Sequence, residues 1–293
     1  MCIRDRMDTV TVRSNRKPVS GEKAKFMSVN PSIRVGVGGW TFEPWRGSFY
    51  DKGLAHSREL AFASRRLTTI EVNGTFYRSQ SPETFRKWRD ETPDGFVFAL
   101  KAPRYATNRR NLAEAGESIS RFTEGGLAEL GDRLGPINWQ FAGTKRFEPE
   151  EFEAFLRLLP EAAGSHPLRH AVEVRHESFR DERFVDLCAA RSVAIVTAAD
   201  SEYPLIGDQT ADFSYLRIMG TAADEPLGYP DERIAYWVDT ARALSEGKVP
   251  ADLTPVRPAG KAAARDVFLY VISGAKEKNP QAAMALIDRL GRH

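Results

Sequence analysis

From residue 33 onward, short apolar runs of period two alternate with longer stretches of helical period. The runs of strand character cover 33–37, 69–73, 95–101, 136–140, 170–175, 193–197, 213–218 and 267–272. Pro136 stands at a strand start, where its missing N–H is tolerated. Between the runs, Phe152, Phe155, Leu156 and Leu159 follow the i, i+3, i+4, i+7 spacing of a helix face, and Ile234, Trp237, Val238 and Ala241 repeat it. Further helices are predicted over 57–66, 119–130 and 181–190. Ser81-Pro82 supplies an N-cap and a first-turn proline. Asn279-Pro280 is expected to cap a last helix that carries Ala283, Leu286, Ile287 and Leu290 on one face. Polar loops are expected over 104–111 and 201–212, an aromatic-rich loop over 41–52 and a Pro- and Ala-rich loop over 247–265. Eight strand–helix units in about 260 residues fit a single α/β domain, a (β/α)8 TIM barrel over 33–293. A doubly wound open sheet is the alternative, weakened because no Gly-x-Gly-x-x-Gly turn follows any strand.

Strand parity then separates two faces. Val35, Val37, Ile70, Val72, Phe96, Phe98, Leu100, Ile137, Trp139, Val172, Val174, Leu216 and Ile218 form an apolar set that should pack on helices. The opposite parity collects Glu71 and Asn73, Lys101, Asn138 and Gln140, Glu173 and Arg175, and Arg217 at the C-terminal strand ends. Asp200 lies just beyond the sixth strand. Active sites of such barrels sit at this face. Three acids (Glu71, Glu173, Asp200) and three bases (Lys101, Arg175, Arg217) are therefore expected to converge. One reading is a structural ion network, since buried charges must pair. The other is a substrate site in which the bases hold an anion and Glu71 or Glu173 does acid–base work.

His176 follows Arg175 and should sit on the rim, as a base or as a solvated or carbonyl-bonded side chain. His56, His166 and His170 lack ligand spacing. Glu71, Glu173, Asp200 and His176 could hold a divalent metal, but no His-x-His or His-Glu-x-x-His pattern supports one. Trp40, Trp45, Tyr50, Phe76 and Tyr77 fall in the loops after the first two strands. They either stack a ring or a base or pack the barrel mouth.

Composition adds exclusions. A formal net charge of +2 over 293 residues gives no bulk electrostatic argument for nucleic acid or an anionic membrane. Of two cysteines, Cys188 shares an apolar helical stripe with Phe184 and Leu187 and reads as core, so a reducing, cytoplasmic setting fits. No apolar run approaches a membrane span. Residues 1–32 are polar and basic and are expected to be a disordered extension. Their opening Met-Cys-Ile-Arg-Asp-Arg resembles a leader found on translated metagenomic assemblies, with Met7 or Met27 nearer the true start.

With these residues identified, the chain resembles the YecE-like family, domain of unknown function seventy-two. The matching stretches are Val37-Gly-Gly-Trp-Thr41 with Trp45-Arg-Gly-Ser-Phe-Tyr50, Glu71-Val-Asn-Gly-Thr-Phe-Tyr-Arg78, and Thr92-Pro-Asp-Gly-Phe-Val-Phe-Ala-Leu-Lys-Ala-Pro103. Leu134-Gly-Pro-Ile-Asn-Trp-Gln140, Ala171-Val-Glu-Val-Arg-His176 and Tyr215-Leu-Arg-Ile-Met-Gly220 follow in order. The resemblance implies a TIM barrel and no established reaction. Four places depart from the family pattern. Asn108 and Met219 stand where histidines are usual, Phe141-Ala-Gly143 replaces a Pro-Pro turn, and Ser273-Gly-Ala275 replaces an Asn pair. The expected function is a hydrolase or lyase acting on a small phosphate- or carboxylate-bearing molecule. The alternatives are a nucleotide or nucleic-acid binding module and a non-catalytic small-molecule binder. No cofactor is indicated.

Overall fold

The computed structural model describes residues 32–258 and 260–291. The expectation for residues 1–31 lies outside that range. Ser32 does not behave as extension. Its N–H and hydroxyl both donate to Asp266 Oδ1 at 3.0 Å.

Eight parallel strands close into a barrel, with the first strand paired to both the second and the eighth. In chain order they are Ile33–Gly38, Thr69–Val72, Val97–Lys101, Leu134–Gln140, His170–Glu173, Ala194–Ala199, Phe213–Ile218 and Asp266–Val271. Every predicted strand is present, with ends moved by one or two residues. Closure removes sheet edges, which leaves loops and strand ends as the places where polar groups meet solvent.

The parity argument is met residue by residue. The outward set packs into one continuous core with the helices. A second, smaller cluster fills the barrel itself: Val97, Ala99, Ala171, Ala194, Val196, Phe213, Tyr215, Phe268, Tyr270 and Ile272. Small side chains on the third, fifth and sixth strands make room for rings from the seventh and eighth. Tyr215 and Tyr270 lie 5.0 Å apart between ring centres.

Helices Pro82–Glu91, Pro149–Leu158, Glu182–Ala190 and Asp231–Ser245 match the periodicity. The Ser81 hydroxyl accepts from Thr84 N–H, as a cap should. Several details differ. The 57–66 helix is a 3-10 turn, His56–Arg58, followed by Glu59–Ala63. The 119–130 helix starts earlier, at Gly116, and ends at Thr123, because Gly125 and Gly126 interrupt it before a 3-10 segment. The 104–111 loop contains one helical turn, Arg104–Thr107. Residues 201–212 are loop, as expected. Asn279 does not cap the last helix. It occupies the first helical position, and its side-chain carbonyl accepts from the Thr221 hydroxyl at 2.8 Å. A two-stranded ribbon, Ala162–Ala163 with His166–Pro167, had no signal in the pattern. Among the described residues no helix is long and apolar enough to cross a membrane.

Candidate functional site

The second, fifth and seventh strands place Glu71, Glu173 and Arg217 on the inner face, all buried. Arg217 bridges the two carboxylates. Its Nη1 donates to Glu173 Oε2 at 2.5 Å, and its Nη2 donates to Glu71 Oε1 at 3.2 Å. Its Nε lies 3.2 Å from Glu71 Oε2 but is not aligned as a hydrogen bond, so that contact is ionic only. Arg175 donates to Glu173 Oε1 from Nε at 2.9 Å and from Nη2 at 2.7 Å, and Nη2 also reaches Gln140 Oε1 at 2.8 Å. Asn138 Nδ2 donates to Glu173 Oε2 at 3.1 Å. The Tyr215 hydroxyl donates to Glu71 Oε2 at 2.6 Å. Two carboxylates thus balance two guanidiniums.

Lys101 stands apart. It ends the third strand, is 8% exposed, and its side-chain Nζ makes no hydrogen bond or ion pair with any described residue. Its Nζ lies over the Phe76 ring, 4.3 Å from the centre. Burial, with Arg217 adding to it, pulls its pKa down to about 8 against the opposing pull of Glu71 and Glu173. Burial would push Glu173 up, but Arg217, Arg175 and Lys101 overturn this and hold it at about 2. Glu173 is therefore a permanent carboxylate near neutral pH, whereas Lys101 titrates close to it.

Above this cluster opens a cavity of about 580 Å³. Arg78, Lys101, Arg175, Arg217 and Lys276 line it, and among the described residues no Asp or Glu does. Trp40, Asn73 and Tyr77 also line it, as expected. Trp40 packs edge-on against Trp88, 5.2 Å away, so it is wall and packing at once. Tyr77 is 67% exposed at the rim. A Cβ on Gly38 would lie 2.7 Å from Asn73 Nδ2, so any larger residue there would push that amide aside.

Four of the expected residues, Tyr50, Trp45, Asp200 and His176, lie elsewhere. Tyr50 is buried in the core, its hydroxyl bonded to the Trp40 carbonyl, because Phe49, Trp45 and Phe62 enclose its ring. Trp45 is buried with it and donates to the Lys276 carbonyl at 2.8 Å. Asp200 does not join the mouth. Its backbone turns into the left-handed region, φ 53°, and its carboxylate takes Arg233, the Tyr229 hydroxyl (3.0 Å) and Trp237 Nε1 (3.2 Å). His176 turns back to cap the next turn, its Nδ1 accepting from Ser178 N–H at 3.1 Å, and it is not part of the cavity wall. His56 pairs with Glu59, and His170 bridges Trp139 and the Pro160 carbonyl. Among the described residues no group of three or more His, Cys, Asp or Glu gathers as a metal would require.

Sequence reasoning missed Tyr215, although it shares the inward parity of Arg217. It also missed Ser273 and Lys276, contributed by the loop after the eighth strand. No period marks a loop residue, so nothing in the pattern pointed to that pair. Of the departures from the family pattern, only Ser273 reaches the cavity; Asn108 lines a separate surface cleft and Met219 is buried.

Comparison with known proteins agrees with this architecture. The family described as Protein of unknown function DUF72 matches residues 34–293. The protein YecE of Escherichia coli K12, described as UPF0759, is 28% identical over 147 residues, 50% of this chain and 50% of that protein. The match spans about half the length of that curated relative. A DUF72 family protein from Thermotoga maritima MSB8 superposes with a TM-score of 0.67 at 20% identity, covering 88% of this chain and 99% of that one. One from Enterococcus faecalis V583 superposes at 0.66 and 14% identity, covering 89% and 96%. At these identities the superpositions establish the fold alone.

Proposed function

This chain belongs to the DUF72 family of proteins of unknown function, and from its cavity we propose an enzyme, hydrolase or lyase in type, acting on a small phosphate- or carboxylate-bearing molecule. One observation carries the reading: five cationic side chains and no described acid line the wall, while the balancing carboxylates sit beneath it. Arginine suits planar, bidentate recognition of such groups. Glu71 and Glu173 are assigned to hold Arg217 and Arg175 in place. Acid–base work then falls to Lys101, the group whose pKa of about 8 lies near neutral. Buried Cys188, a free thiol, fits a reducing cytoplasmic setting.

The test is titration calorimetry with inorganic phosphate and malonate at low and high salt. Saturable binding that Arg175→Ala removes supports the reading. Absence of binding by either anion ends it. Turnover screens on phosphate esters and hydroxy acids then separate an enzyme from a binder without chemistry.

A second reading rests on the rim. Tyr77 is open to solvent and Arg104 lies 5.9 Å from its ring centre, a surface on which a base could stack. A nucleotide bound this way would lose affinity in Tyr77→Ala, whereas inorganic phosphate would not.

A further inference from the structure

Among the described residues, Lys101 is the one buried charged group of the mouth cluster that no counter-ion pairs with. Glu71, Glu173, Arg175 and Arg217 already sum to zero, so a neutral amine leaves the cluster balanced and an ammonium leaves it one charge in surplus. A lysine needed only as a fixed charge would be expected to pair, as Arg217 and Arg175 do. Lys101 instead ends a barrel strand with its Nζ against an aromatic face and a cavity in front of it. It sits beside two guanidiniums already held in position by carboxylates. The lone pair of a neutral Nζ there is not taken up by any described donor. A buried amine of this kind is suited to covalent capture of a carbonyl group.

We infer that Lys101 is a Schiff-base nucleophile for a carbonyl compound bearing a carboxylate or phosphate, the acid group resting on Arg175 and Arg217 and the carbonyl carbon facing Nζ. This inference rests on the anion-binding reading and specifies its substrate class. The nitrogen lone pair adds to the carbonyl carbon, and the carbonyl oxygen takes up a proton as the ammonium centre gives one up. The carbinolamine hydroxyl then takes a proton from water in the open cavity and leaves as water, while the nitrogen keeps its own proton and its lone pair forms the C=N bond, leaving an iminium on Lys101. Nothing is oxidised or reduced in this step. The iminium that results draws electrons from the neighbouring carbon, so bond cleavage or proton loss there becomes the accessible chemistry, in keeping with a lyase.

The experiment treats the full chain with pyruvate and sodium borohydride, with glyoxylate as a second probe. Borohydride supplies the hydride that fixes an imine as a secondary amine. Intact mass and peptide mapping should find one reduced adduct per chain, on Lys101, formed faster as pH rises through about 8. Excess phosphate should slow labelling several-fold. Lys276, in the same cavity with its Nζ 4.2 Å from the Phe42 ring centre, is the internal control. Because mapping uses the unaltered protein, the result does not depend on a variant folding. Lys101→Met, checked by thermal unfolding, should lose the adduct. An adduct on Lys276 and none on Lys101, labelling spread over surface lysines alone, or no labelling would overturn the inference. If phosphate still binds in calorimetry, only the covalent step falls. If phosphate fails to bind as well, the anion-binding reading falls with it.

Discussion

Two acids end up near the C-terminal ends of neighbouring strands, Glu173 on the fifth and Asp200 just after the sixth, and they meet opposite fates. Asp200 faces away from the barrel axis. One arginine, one tyrosine hydroxyl and one indole N–H satisfy it, and these partners come from the start of helix Asp231–Ser245 and the loop before it. Its charge is matched one to one, and its work is to pin that helix to the barrel rim. Glu173 faces inward, is fully buried, takes Arg175 for itself and shares Arg217 with Glu71. Beside it stands a cation with no partner. Both clusters contain ion pairs, and the difference between them is the unmatched charge facing a cavity. Pairing alone is weak evidence for either stability or function. A surplus that the fold leaves open is evidence for a ligand.

The largest expected effect comes from breaking the inward cluster. Glu173→Ala should cost about 3–5 kcal/mol, because it leaves Arg175 without a carboxylate and Arg217 with Glu71 alone. Chemical denaturation reads this directly. The same carboxylate should make the protein acid-sensitive. Its folded pKa, about 2, lies below its ordinary value of 4.5, so its contribution is complete above that ordinary value and is lost as pH falls toward 2. Glu173→Gln should flatten that part of the stability profile.

The Lys101 charge should cost stability where the Glu173 charge contributes it, although both sites make stability rise with pH. The folded pKa of Lys101 is depressed from 10.5 to about 8, so the unfolded chain holds a proton that the folded one releases between those values. Stability contributed by this site should therefore rise with pH across that window. Lys101→Met should stabilise the protein at neutral pH by up to about 3 kcal/mol, through removal of a buried unpaired charge, and should weaken phosphate binding without abolishing it, since Arg175 and Arg217 still face the cavity. A variant that is less stable than the parent at neutral pH would mean that the ammonium is compensated by a partner, and the cluster would then resemble that of Asp200.

Much of this was legible before any coordinates. Period-two alternation separates Val72 from Glu71 and Leu216 from Arg217, and barrel closure turns that parity into an inside and an outside. Tyr215 shares the inward parity of Arg217 but went unnoticed, because its ring hides its polar end from a reading that looks for charge. Asp200 was misplaced for a different reason. It lies beyond the last paired residue of its strand, Ala199, where parity no longer applies and a single left-handed turn redirects the side chain. Tyr50 and Trp45 were ambiguous because an aromatic loop next to a mouth can either line it or roof the core, and sequence alone carries no depth. The pairing of charges was also out of reach. That Lys101 is the unmatched group depends on how the Arg217 and Arg175 guanidiniums are aimed.

The smallest effect is the one that tests the comparison itself. Asp200→Asn keeps the shape of the side chain and should still accept from Tyr229 and Trp237, losing mainly the charge that holds Arg233 at a partly exposed site. The cost should be about 1–2 kcal/mol, in the range for a hydrogen bond to a charged group. The Asp200 carboxylate is held by Arg233, Tyr229 and Trp237 and does not line the cavity. Phosphate affinity and the labelling of Lys101 should therefore be unchanged in this variant. A drop in either would mean that Asp200 communicates with the cavity through the rim helix. The two strand ends would then form one coupled site, and the division between a pinning cluster and an open one would fail.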